Sequence, residues 1–99
     1  MTYRVRYTSA ARDDLRRLYA YPIEKDQQDA RRALDLIAKA IELLQDFPFT
    51  CRKVDTDTPF LREILIPFGS SGYVALFEIE DANTVTIVAV RHQRDEDYR

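Results

Sequence analysis

The chain has 99 residues, 45% of them hydrophobic and 32% charged, with 15 Lys and Arg against 17 Asp and Glu for a formal net charge of -2. That is room for one domain (residues 1–99) around one modest core, in a chain that is neither disordered nor membrane-embedded. An acidic balance, with a pI near 5.3, argues against unaided binding to a polyphosphate backbone, which draws most of its affinity from clustered cations. No apolar run approaches the roughly 20 residues that span a bilayer. Met1 to Arg4 lacks the apolar stretch of a secretory leader. Cys51 has no second cysteine to pair with. A cytoplasmic location is expected from all three.

Tyr3-Arg4-Val5-Arg6-Tyr7 alternates strictly, which predicts a half-buried strand with Tyr3, Val5 and Tyr7 inward. Thr8 or Ser9 then caps a helix whose apolar stripe is Ala11, Leu15, Leu18 and Tyr19. Arg12, Arg16 and Arg17 face out, and Asp13 and Asp14 sit in the first turns, where acidic residues suit the helix dipole. Pro22 to Lys25 reads as a short connection. From Asp26 to Asp46 a second helix buries Ala30, Ala33, Leu34, Ile37, Ala40, Ile41 and Leu44, with Leu36 and Leu43 at the margin. Together the helices form a hairpin that can cover one face of a sheet.

Phe47-Pro48 ends that helix, because a residue before proline is driven from the α region. Phe49 to Pro59 is polar and reads as a loop, in which Arg52 and Lys53 are either a solvated pair or a phosphate contact. Cys51 reads as an inert thiol. A three-strand antiparallel meander follows: Phe60 to Pro67, Tyr73 to Ile79 and Thr84 to His92, joined by Gly69-Ser70-Ser71-Gly72 and Asp81-Ala82-Asn83. The nearly continuous apolar runs Tyr73–Phe77 and Val85–Val90 predict central strands covered on both faces. The helices supply one cover; loops, the C-terminal tail or a second chain must supply the other. Neither a phosphate-loop pattern nor a metal-ligand or cofactor motif is read.

The order strand, helix, helix, meander, with the words Leu61-Arg62-Glu63-Ile64, Ile66-Pro67-Phe68-Gly69, Gly72-Tyr73-Val74-Ala75-Leu76-Phe77 and Ile87-Val88-Ala89-Val90-Arg91-His92-Gln93-Arg94, resembles the RelE/ParE superfamily of toxins from bacterial type II toxin-antitoxin modules. Plasmid stabilisation proteins is another label for these. The resemblance covers nearly the whole chain and implies an α+β fold of β-α-α-β-β-β order, its helix hairpin packed on a mainly antiparallel four-stranded sheet. It also implies a cognate antitoxin that wraps the toxin in a hetero-oligomer.

Two activities occur in that superfamily. ParE-like members poison DNA gyrase, whereas RelE-like members cut messenger RNA in the ribosome. Metal-free RNA cleavage needs an acid or base and fixed positive charge for the phosphate. For that branch His92, Arg62, Arg91 and Tyr98 are the candidate catalytic residues, with Arg62 and Tyr98 matching an arginine and a tyrosine of the branch. His92 falls where the branch often has another arginine. Arg62 and His92 would have to converge across the sheet. In the gyrase reading Arg62, Arg91, His92 and Arg94 form a target-binding surface and nothing is catalytic. The low net charge, and a tail from Arg91 to Arg99 whose three positive and three negative charges cancel, favour the gyrase side. An inactive toxin fold serving only as a binding module is the third reading.

Overall fold

The computed structural model describes residues 2–20, 27–69 and 71–93. In chain order these form β1 (Arg4–Tyr7), α1 (Ser9–Ala20), α2 (Gln27–Leu43), a single 3-10 turn (Pro48–Thr50), β2 (Arg52–Asp55), β3 (Thr58–Phe68), β4 (Ser71–Asp81) and β5 (Thr84–His92). The described strands make one sheet in the order β1-β5-β4-β3-β2. β1 pairs parallel to β5, and the other neighbours are antiparallel.

The expected meander is present. Strand β2 is an addition to the four strands expected, because the stretch read as a polar loop turns back on itself. Asp55 lies opposite Thr58 across a two-residue turn, and the Asp55 carboxylate accepts the N–H of Asp57 at 3.1 Å. An Asx-type bond thus replaces the glycine that usually announces a hairpin. All four residues of β2 are exposed, so no alternation marked it as a strand.

On one sheet face, Tyr73, Ala75, Phe77 and Ile79 of β4 meet Ile66 of β3 and Val85, Ile87 and Val90 of β5. Ala11 of α1 and Ala33, Ile37 and Ile41 of α2, with Leu44 just beyond it, pack against them. Both helices therefore bury the stripes read from their periodicity, although the side chain of Ala30 and the connection 22–25 lie outside the described residues. Thr8 is the cap: its hydroxyl accepts the N–H of Ala11 at 3.0 Å, satisfying one of the donors a helix start leaves open. The other face stays partly open, with Leu65 exposed on β3.

Turn chemistry fixes the β3–β4 register. Gly69 sits at φ +62°, the left-handed region that favours glycine. Gly72 is held so close to β3 that an added Cβ would lie 2.4 Å from the Ile66 carbonyl oxygen. Gly72→Ala is accordingly expected to lower stability by about 2 kcal/mol or more, while Leu65→Ala on the open face changes it by only about 0.5 kcal/mol. Urea denaturation of the two variants checks this.

Candidate functional site

Strand register separates the residues expected to work together. Arg62 lies opposite Phe77, and His92 lies opposite Tyr73. Both point to the helix-covered face. They are about 14 Å apart along the strands and about 10 Å across them, so roughly 17 Å in all. The expected convergence of Arg62 with His92 is therefore not found. Arg91, one residue before His92, belongs to the opposite face, opposite Val74. Arg94 and Tyr98 lie outside the described residues.

His92 is 1% exposed, and its ring stands edge-on to Tyr73, with centroids 5.1 Å apart and planes at 87°. It closes the core at the end of β5. Arg62 is 8% exposed. Its Nε donates to the Pro59 carbonyl at 2.8 Å, and its Nη1 donates to the carbonyls of Phe49 at 2.9 Å and Cys51 at 2.8 Å. The guanidinium also sits 5.3 Å from the centre of the Phe49 ring, close enough for a cation–π attraction. This arginine is a brace: it pins the segment between α2 and β2 onto the start of β3. Beside it, burial pushes the Cys51 thiol up and outweighs the pull of Arg62, which suits the inert role read for that cysteine.

Arg91 is tied to Asp14, whose Oδ2 faces its Nη1, while the same Nη1 donates to the Val90 carbonyl at 3.2 Å. Asp14 is the functional-looking residue that sequence reasoning missed. It is buried and accepts the Val90 N–H at 3.0 Å and Arg17 at 2.7 Å. Its signal was its spacing. It stands three residues after Ala11 and four before Leu18, inside the stripe read as apolar. Burial works to raise its carboxyl, but the Val90 N–H, Arg91 and Arg17 together outweigh that and hold it below the ordinary value of 3.8.

Arg52 pairs with Glu63 at 2.5 Å across β2 and β3. The phosphate contact considered for Arg52 thus competes with a carboxylate already in place. Among the described residues, no group of three or more His, Cys, Asp or Glu is placed to hold a metal ion, and no helix is long and apolar enough to cross a membrane.

The cations expected at a nucleolytic centre are thus distributed through the scaffold. Elsewhere on the surface two exposed aromatic side chains come together. Phe49 and Phe60 stand edge to face with centroids 6.2 Å apart, beside an open cleft of about 390 Å³ lined by Tyr3, Ile79, Glu80 and Asp81. A second cleft of similar volume runs between the helices, lined by Tyr7, Leu15, Tyr19, Leu34, Ile37 and Ile41.

Two helices packed on a five-stranded, mostly antiparallel sheet define a small α+β fold. The chain shares this fold with a solved structure described as the chromosomal ParDE TA system from P. aeruginosa, at a TM-score of 0.68 and 17% identity, covering 92% of this chain and 96% of that one. A family model for the ParE toxin of the type II toxin-antitoxin system, parDE, matches residues 5–97. A curated relative, Toxin RelE1 of Caulobacter vibrioides, is 35% identical over 79 residues, 80% of this chain and 82% of that protein. The chain belongs to the ParE toxin family within the RelE/ParE superfamily and is the toxin of a type II toxin-antitoxin module, with an antitoxin as partner.

The Asp14 cluster makes a testable contribution to stability. Because the folded carboxyl titrates below the unfolded one, its contribution is present above about pH 4 and is lost as pH falls through the folded value. Asp14→Ala is expected to cost about 3 kcal/mol at pH 7 and to flatten the acid limb below about pH 4. Urea titrations at neutral pH and at steps below about pH 4, on wild type and variant, provide the check. For Arg62, replacement by Ala leaves buried carbonyls without their donor and is expected to cost about 2–3 kcal/mol. Replacement by Lys, with no planar fork, recovers only part of that.

Proposed function

We propose that this toxin acts in the ParE manner, by binding DNA gyrase in the cytoplasm, with no hydrolytic chemistry of its own and with neutralisation by its cognate antitoxin in a hetero-oligomer. One observation carries the reading. The only histidine of the chain is buried against Tyr73 roughly 17 Å from Arg62, and the Arg62 guanidinium is already bound to backbone carbonyls. An acid–base group and a phosphate clamp would have to share one exposed site to cut RNA. The pI near 5.3 supports the same choice, since ribosome-bound nucleases work on a polyanion.

In this reading Arg62, Arg91 and His92 contribute to target binding by holding the surface in shape, and Arg94 adds charge from the tail. Growth arrest and stabilisation of the replicon that carries the module follow from gyrase poisoning. Expression of the chain without its antitoxin is expected to stop growth and to trap gyrase-linked DNA breaks. Arrest with intact DNA and unchanged supercoiling would overturn the proposal, and harmless expression with antitoxin binding retained would point to a toxin fold that has lost its poison.

The RelE-like alternative has its own observation, the 35% identity to a protein named Toxin RelE1. It makes the ribosome and messenger RNA the partners, with His92, Arg62, Arg91 and Tyr98 catalytic. Primer extension on transcripts after induction tests it: the gyrase reading expects intact transcripts, and new 5′ ends that vanish in a His92→Ala, Arg62→Ala double variant of verified fold would replace it.

A further inference from the structure

The cleft beside Phe49 and Phe60 is a feature that the scaffold does not use. Phe49 is 49% exposed and Phe60 53% exposed, yet neither is loose. They pack on each other, and Arg62 lies against the Phe49 ring while binding the Phe49 and Cys51 carbonyls. Aromatic side chains held in this way have already lost much of the freedom that association would otherwise remove, which is the character of interface anchors.

The cleft also has a sign. Glu80 and Asp81 stand exposed along its lining. Asp81 accepts the Asn83 N–H at 2.8 Å, a bond that, helped by Thr84 and by the nearby charge of Arg4, holds its carboxyl below the ordinary range. Glu80 accepts the Thr86 hydroxyl. Arg4 is the cation whose charge acts on Asp81.

We propose that this acidic aromatic cleft is the surface through which the toxin engages its target. The fitting partner is a protein surface that sets an apolar or aromatic side chain in the cleft against Phe49 and Phe60 and Lys or Arg against Glu80 and Asp81. This rests on the gyrase reading. An enzyme that holds DNA presents clustered Lys and Arg to it, and an acidic aromatic patch complements such a surface where a basic one would be repelled. The inter-helix cleft has a different chemistry. Its lining is apolar except for Arg16 and the tyrosine hydroxyls, which suits the apolar side of an antitoxin segment. Arg62 is then a positioning residue, acting on the target through Phe49.

The test measures two affinities on the same variants. Plasmid cleavage by gyrase is titrated with purified toxin, and binding of the cognate antitoxin is measured in parallel, for wild type, Phe60→Ala and the pair Glu80→Lys with Asp81→Lys. Poisoning is expected to weaken about tenfold or more in both variants while antitoxin affinity stays within about threefold. Thermal melts report folding, and the milder pair Glu80→Gln with Asp81→Asn repeats the comparison if the lysine pair is destabilised. Undiminished poisoning by folded variants would overturn the cleft and leave the gyrase reading intact. Parallel loss of poisoning and antitoxin affinity would assign the cleft to the antitoxin and overturn the proposal. A wild-type toxin that traps no cleavage would overturn both readings.

Discussion

Strand β5 is longer than β1, its parallel neighbour. The last β1–β5 pair is Tyr7 with Ile87, but β5 continues to His92. Beyond that pair the backbone of a buried central strand has no neighbour on one side, and an unpaired buried N–H or C=O costs free energy comparable to a lost hydrogen bond. Helix α1 solves this. Thr8 donates its N–H to the Ile87 carbonyl at 3.0 Å and directs its hydroxyl to that of Val88, and six residues later Asp14 accepts the Val90 N–H. The same contacts that complete the sheet edge therefore dock α1, and α2 is laid over the core beside it.

This arrangement also explains where the cations went. A carboxylate inserted at a sheet edge brings a negative charge out of water, and Arg91 and Arg17 offset it. At the other end of the sheet, the 3-10 turn after α2 presents carbonyls with no ladder to join, and Arg62 supplies the donors. Two of the arginines that a search for nucleic-acid chemistry would select are thus answers to backbone geometry. Near Arg62, the cleft beside Phe49 and Phe60 is left with aromatic rings and the carboxylates of Glu80 and Asp81 along its lining.

Much of the fold was legible because it follows from repeating patterns. Alternation marked β1, helical spacing marked Ala11–Tyr19 and Ala33–Leu44, and glycine-rich or Asx-containing turns marked the meander. Strand β2 escaped because its four residues are all exposed and its turn uses an aspartate bond in place of glycine. Asp14 escaped for a related reason. A carboxylate in the first turns of a helix has a sufficient local explanation in the dipole, and only the neighbouring strand reveals that it faces inward.

By itself, the sequence determined the element types, their order and the apolar stripes, since these depend on near neighbours and on the period of the chain. It also carried enough local wording to show the toxin superfamily. Tertiary structure alone decided which side chains share a site. Register is a relation between distant segments, and a shift of one residue would exchange the two faces of a strand. That relation put Arg62 and His92 on one buried face but far apart, sent Arg91 to Asp14, and brought Tyr3, Phe49, Phe60 and Asp81, scattered over some eighty positions of the chain, to the edge of one cleft.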